Sequence, residues 1–376
     1  MIKILHVGPS ITKTKGGIAT VINDVIHSKG KGNHIKLSHL VSHVEGSIAR
    51  KLITLFQALV SLVFKSPGYD ILHIHAASDV SFLRKTLFIW IGKAFNKKVI
   101  LHMHGGDFDI YYRKSPALLK RYIKRALMSC DKIIVLSEYW KTFFQYALPD
   151  KQVDVLYNGV HASTFSPYLS APENIHKFLF MGRLYREKGI YDLIEAVNQL
   201  VNVQQHKELL FYIAGNGEID KVRTLINNLN LSDNVKLLGW IEDQEKLDWL
   251  GRVDTVLLPS YIEGLPMSII EAMAAGKIII STNVGGIPDL LVEQENGYMT
   301  DPGDVEALCD RILHVSSHPE EMTAISRNNI EKVEALYNLP KIHDHLFEMY
   351  YELAGKNYAF KSKKLAYKYS VAQSLD

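Results

Sequence analysis

The sequence is poor in cysteine. Only Cys130 and Cys309 occur in 376 residues, far apart and without a CxxC spacing, which argues against a disulfide scaffold or a thiolate zinc cluster and predicts reduced thiols. Long hydrophobic runs are also missing, since no stretch reaches the ~18 apolar residues that span a bilayer. The longest candidate, Leu52 to Phe64, has apolar residues at 52, 55, 56, 59, 60 and 63, a helical spacing that predicts a core helix of the first half. Met1 to Gly8 reads directly as a strand and lacks a signal-peptide core, so a cytoplasmic location is expected. There is no low-complexity tract and no repeat of solenoid period. Hydrophobic residues make up 47% and charged residues 22% of the chain, ordinary globular usage that sets aside disordered and collagen-like classes.

Net charge is small only in total. The sum is +3, yet residues 1–170 hold 23 Lys and Arg against 10 Asp and Glu, whereas residues 171–350 hold 15 against 28. These halves carry +13 and −13, and the asymmetry points to an anionic surface or polymer beside the first half, with a plainly solvated basic face as the simpler reading. No nucleic-acid module or basic strand interleaved with aromatics is present, so no nucleic-acid partner is expected.

At roughly 150 residues per domain, the length predicts two to three domains. Short Ile, Val and Leu runs, each followed by a turn and an amphipathic stretch, give the cadence of an α/β chain with mostly parallel sheets. Strands are expected near 2–7, 36–41, 70–75, 98–103, 132–136 and 153–156, then near 177–182, 209–214, 234–238, 254–258 and 277–281. Turn-formers from Asn158 to Glu173 separate the series. The division expected is 1–165, a first doubly wound domain; 166–345, a second facing it across a cleft; and 346–376, a helix with a basic, Tyr-rich tail. Ligands in such sheets sit beyond the C-terminal strand ends.

Those ends carry the candidates. After the first strand, Gly16 and Gly17 open a helix, as either a flexible turn or a close approach to phosphate; Ser10 and Lys13 occupy positions where a dinucleotide fingerprint would need glycine. His104-Gly105-Gly106 leaves the strand at 98–103, with His102 read as packed and His104 at the mouth. Asp107-Phe108-Asp109 matches an Asp-x-Asp metal pattern that three residues meet too easily, and no metal site is assigned to it. Arg183 and Lys188 sit beside a helix N-terminus, a poor place for cations unless an anion lies between them. Gly215 and the Gly239-Trp240-Ile241 turn mark two more strand exits, the second a resting place for a nucleobase. Finally, Glu263 precedes Gly264-Leu265-Pro266, and Glu271 lies inside the helix that follows, roughly 7.5 Å beyond Pro266 at about 1.5 Å per residue. Two carboxylates so placed can grip hydroxyls at separate points of one extended ligand.

With Gly16-Gly17, His104-Gly105, Asn158-Gly159-Val160, Gly182-Arg183 with Lys188, Gly215-Asn216-Gly217 and Glu263 eight residues before Glu271 in this order, the chain resembles retaining glycosyltransferases of family 4, which have the GT-B fold. His161 stands where that family usually has Asp. The resemblance covers residues 1 to ~350 and implies an acceptor in the first domain, a nucleotide-diphosphate sugar in the second, UDP-sugar favoured, and a C-terminal helix crossing back to the first domain. It implies Arg183 and Lys188 on the diphosphate, Glu271 on ribose hydroxyls, Glu263 with the Gly264-Leu265-Pro266 backbone at the transferred sugar and phosphates, His104 near the sugar, and Gly16-Gly17 at the β-phosphate. No cofactor or metal is expected. The acceptor expected at family level is an undecaprenyl-diphosphate-linked saccharide in surface polysaccharide assembly, met at the inner face of the plasma membrane through basic stretches 81–93 and 113–125. A sugar-nucleotide epimerase on the same fold is the rival reading.

Overall fold

The structure, a computed structural model, describes residues 1–14, 16–28, 34–169 and 175–356. The first sheet contains β1 (Ile2–Pro9), β2 (Ile35–His43), β3 (Ile71–Ala76), β4 (Lys98–Met103), β5 (Lys132–Val135) and β6 (Val153–Val155), in the order β2-β1-β3-β4-β5-β6. The second contains β7 (Lys177–Met181), β8 (Leu210–Ala214), β9 (Val235–Gly239), β10 (Thr255–Leu258), β11 (Ile278–Thr282) and β12 (Tyr298–Thr300), in the order β12-β11-β10-β7-β8-β9. All pairings are parallel. This is the doubly wound α/β architecture of a GT-B fold, and each sheet reverses its winding once, between β1 and β3 and between β7 and β10. Ligand-binding crevices of open α/β sheets form at such reversals. Strands covered on both faces read as unbroken apolar runs, as in the fully buried Ile278-Ile279-Ile280 of β11. β12 is the strand the sequence does not reveal: three residues between turn-formers are too few to show a period.

The Ile48–Lys65 helix forms where the apolar spacing predicts one, but it is not the expected core helix. Leu55, Ala58, Leu59 and Leu62 pack on the sheet, while Leu52, Phe56 and Phe64 are 60%, 69% and 81% exposed. The helix is apolar on more than one face, and the sheet covers only one stripe. A second departure concerns basic stretch 81–93. Lys85 within it is buried, bonding Val7 O at 3.4 Å and the Ser42 hydroxyl, and burial lowers its pKa to about 7.

The chain leaves the first domain through Asn158-Gly159-Val160 and returns through Tyr337-Asn338-Leu339. The two crossings are laced together: Val160 N–H donates to Tyr337 O at 2.9 Å and Leu339 N–H to Val160 O at 2.8 Å. A Cβ on Gly159 would fall 2.6 Å from Tyr337 O, so the two backbones approach closely only with glycine there. The returning helix, Leu339–Leu353, spans the junction expected at 346 and lays Ile342, Leu346, Phe347 and Tyr350 on Ile2, Ile4, Ile71 and Ile100 of the first sheet. Lys15 and the basic tail from residue 357 lie outside the described residues. Among those described, no helix is long and apolar enough to cross a membrane.

Candidate active site

The glycine loops of the first domain reach the second. Gly16, at φ +137°, precedes the Gly17–His27 helix; a Cβ on it would stand 3.8 Å from the Arg183 guanidinium, and one on Gly17 4.0 Å from Met267 Cγ. Beyond β4, Gly106 lies against the Glu263–Gly264 peptide, where a Cβ would come within 2.5 Å of Glu263 C, and a Cβ on Gly264 would stand 2.9 Å from His104 O. At Gly106 and Gly264 the two domains thus meet backbone to backbone, which side chains at these two positions would prevent. Beside the contact, Asn158 Nδ2 donates to Leu265 O at 2.9 Å and Glu138 N–H to Asp289 Oδ2 at 2.7 Å.

On the second domain's side, β7 delivers Gly182-Arg183 and a 3-10 turn holds Arg186–Lys188. Gly189 follows at φ +70°, and the Pro259 carbonyl occupies the place of its Cβ. Lys188 Nζ donates to Glu263 Oε1 at 2.6 Å and to Ile262 O at 3.2 Å, while Ser260 Oγ donates to the same Oε1 at 2.8 Å. Glu263 is thereby a buried carboxylate with a charged partner, the condition under which burial of Glu is tolerated. Pro266 precedes the Met267–Ala274 helix, whose buried Glu271 pairs with Lys246 Nζ at 2.5 Å. Asp24, on the Gly17–His27 helix, faces that pair; burial and the charge of Glu271 raise its pKa to about 6.

The expected residues divide by place. Gly16, His104, Arg183, Lys188, Glu263 and Gly264 converge on one part of the cleft; Glu271 sits farther along, past Gly17 and Met267. Gly215, Trp240 and Ile241 continue the row over β8 and β9. Gly215 has a packing reason of its own, because Gly182 O fills the space a Cβ would need. Trp240 Nε1 donates to Glu242 Oε2 at 2.8 Å, and Ile241 and Leu265 are buried. Asp107 and Asp109 stand at the start of the Phe108–Lys114 helix, where carboxylates suit the dipole, and Tyr139 Oη donates to Asp109 Oδ2 at 3.4 Å.

Several residues escape sequence reasoning. Lys246, Ser260 and Asp24 give no local signal, since only the fold sets them against Glu271 and Glu263. A row of histidines could have been found. His73 and His75 on β3, and His102 and His104 at β4, are each two residues apart and so share a sheet face, which His6 of β1 joins. His104 is half-buried, and burial brings its pKa down to about 3, so its imidazole is neutral at pH 7.

Residues 24–164 match the family model described as Glycosyltransferase Family 4, and residues 164–332 the one described as Glycosyl transferases group 1. The chain is 26% identical over 327 residues to UDP-Gal:alpha-D-GlcNAc-diphosphoundecaprenol alpha-1,3-galactosyltransferase of Escherichia coli, covering 80% of this chain and 81% of that one. It is 27% identical over 273 residues to the amylovoran biosynthesis glycosyltransferase AmsK of Erwinia amylovora, over 70% and 66% of the two chains. Among solved structures, Anabaena HepE in complex with UDP-glucose superposes with a TM-score of 0.71 at 19% identity, covering 93% of this chain and 99% of that one. The two family models meet at the connection between the sheets, and the chain belongs to the family 4 glycosyltransferases of the GT-B fold.

Proposed function

We propose that this glycosyltransferase moves a sugar, with retention of anomeric configuration, from a nucleotide-diphosphate sugar to an undecaprenyl-diphosphate-linked or saccharide acceptor in surface polysaccharide assembly. The observation that carries the reading is the convergence of Gly16 on Arg183 and of His104 on Gly264 beside the Lys188–Glu263 pair. A UDP-sugar is the favoured donor and a lipid-linked acceptor the favoured partner, in keeping with the names of the E. coli galactosyltransferase and the UDP-glucose complex of HepE.

In this reading Arg183 and Lys188 meet the charge that develops on the leaving diphosphate as the sugar becomes oxocarbenium-like. No metal is assigned to the step, because the two cations supply the positive charge. Both side-chain bonds to Glu263 end on Oε1, leaving Oε2 to accept from a sugar hydroxyl. The acceptor oxygen attacks C1 on the face the phosphate leaves; the C1–O bond to phosphate breaks, the C1–O bond to acceptor forms, and the departing phosphate oxygen takes the acceptor's proton. Apposed domains fix this geometry and keep water away.

The acceptor would be met at the anionic inner face of the plasma membrane. The Ile48–Lys65 helix, with exposed apolar residues, Arg50, Lys51 and Lys65 and no acidic residue, fits an interfacial helix better than stretch 81–93, whose Lys85 is buried.

The test is product analysis with radiolabelled UDP-sugars and an undecaprenyl-diphosphate sugar. Label in an α-linked lipid product is expected from an α-configured donor; a β-linked product removes retention, and a free epimerised sugar nucleotide establishes the epimerase instead.

A further inference from the structure

Six groups, all buried except the half-buried His104, form one hydrogen-bonded chain on the first sheet. Its rings come from three adjacent strands and the returning C-terminal helix. Tyr350 Oη lies 2.6 Å from His73 Nδ1 and 3.1 Å from His6 Nε2. His6 Nδ1 lies 3.0 Å from His75 Nε2, and His75 Nδ1 2.9 Å from His104 Nε2. On a second branch, His73 Nε2 lies 3.2 Å from His102 Nδ1. His73 and His75 stack with centroids 4.4 Å apart, and His102 and His104 lie tilted at 4.1 Å. Protonating one ring would set a charge against its neighbours in a buried site, and burial is the leading cause that lowers all five pKa values.

A neutral imidazole carries one ring proton, so the direction of one bond sets every other bond in the chain. Hydroxyl donors make shorter bonds than N–H donors. The 2.6 Å contact is therefore the phenol donating to His73 Nδ1, and the 3.1 Å contact is His6 Nε2–H donating to the phenol oxygen. His6 Nδ1 is then bare and accepts from His75 Nε2–H; His75 Nδ1 is bare and accepts from His104 Nε2–H. On the other branch His73 Nε2–H donates to His102 Nδ1, which leaves the His102 proton on Nε2. That nitrogen has no partner among the described residues and lines a small cavity together with Asn158 Oδ1 and His343 Nε2, which also have none. Asn158 Oδ1 gives the cavity an acceptor for the His102 N–H.

We propose that Tyr350 is a positioning residue for glycosyl transfer: acting through His6 and His75, its hydroxyl holds His104 as the Nε2–H tautomer, so that the ring offers a bare Nδ1 to a hydroxyl of the donor sugar. The catalytic half of the statement rests on the placement of His104 at the sugar in the reading above; the tautomer does not. The C-terminal helix thus does more than close the first sheet, because it carries the group that orients the hydrogen-bond chain.

The experiment is NMR of the full-length chain labelled with ¹⁵N-histidine, the His104 signals being identified by their loss in His104→Gln. In the unsubstituted protein His104 is expected as the neutral Nε2–H form. In Tyr350→Phe the His6 N–H loses its acceptor, and because an orphaned buried donor is costly the chain reverses and His104 becomes Nδ1–H, with kcat down roughly tenfold and the donor KM within about twofold. Phe347→Leu, a packing change in the same helix, should leave the tautomer as it was. An Nδ1–H His104 in the unsubstituted protein overturns the proposal even if Tyr350→Phe fails to fold, and so does an unchanged tautomer in a folded Tyr350→Phe. Joint shifts of His75, His102 and His104 on adding Zn²⁺ alone would overturn it in favour of a cation site, since their nitrogens lie within 4.8 Å of one another. Tautomers are read without substrate, so a failed transfer assay bears on the function and leaves the chain of histidines to be judged separately.

Discussion

Arg183 and Lys188 stand beside the same helix N-terminus but differ in their partners. Lys188 is held by the buried Glu263 carboxylate, whereas Arg183 faces the glycine loop across the cleft, its guanidinium 3.8 Å from where a Cβ on Gly16 would stand. Arg183→Ala should lower kcat by about 10²–10³, the range found when one donor to a developing charge is removed. Steady-state kinetics with the donor found in the product analysis measure this, and turnover within a factor of three would remove Arg183 from the step. Such candidates are legible in sequence when a residue's position relative to a turn or helix end already makes it odd, as for two cations at a helix N-terminus or Glu271 in an apolar helix. Partners are not legible. Lys246 sits in the polar Asp243–Arg252 helix and looks like any solvated lysine until the fold sets it 2.5 Å from Glu271.

At the scale of the element, eleven of the twelve strands fall where apolar runs place them, because parallel strands buried on both sides need those runs. Which face of a helix is covered is harder to read. The Ile48–Lys65 spacing fits a helix in the core equally well, and only the fold shows Phe56 and Phe64 in solvent. Burying their rings in an acyl boundary removes apolar area from water at about 25 cal/mol per Å², and Arg50, Lys51 and Lys65 add attraction to an anionic surface, about 1 kcal/mol each near it. The double substitution Phe56→Ser and Phe64→Ser should reduce co-sedimentation with phosphatidylglycerol vesicles at least tenfold and leave unfolding temperature unchanged, since neither ring is in the core. Binding should also weaken as salt is raised. Equal sedimentation of the two proteins would show that the apolar face of this helix does not enter the membrane.

At the scale of the whole molecule, the histidine chain makes stability depend on pH in a direction opposite to that of the raised carboxyls. His6, His73, His75 and His102 are buried and stay neutral, with pKa values below 6.5 and that of His6 at about 3. In the unfolded chain they protonate near 6.5, so below that pH the unfolded state binds more protons and stability falls as pH falls toward the folded values. Burial raises Asp24 and Asp289 to about 6; between roughly 6 and 3.8 the folded state binds the extra protons on these groups, and stability rises as pH falls. The lowered histidines outnumber these two aspartates, so on balance stability falls between pH 8 and pH 5.5. Melts followed by circular dichroism should be level from pH 7.5 to 9, lower by several degrees at pH 6, and lower still at pH 5.5. A melting temperature that holds constant down to pH 5.5 would mean that the buried rings accept protons in place, and the neutral chain from Tyr350 to His104 would not exist.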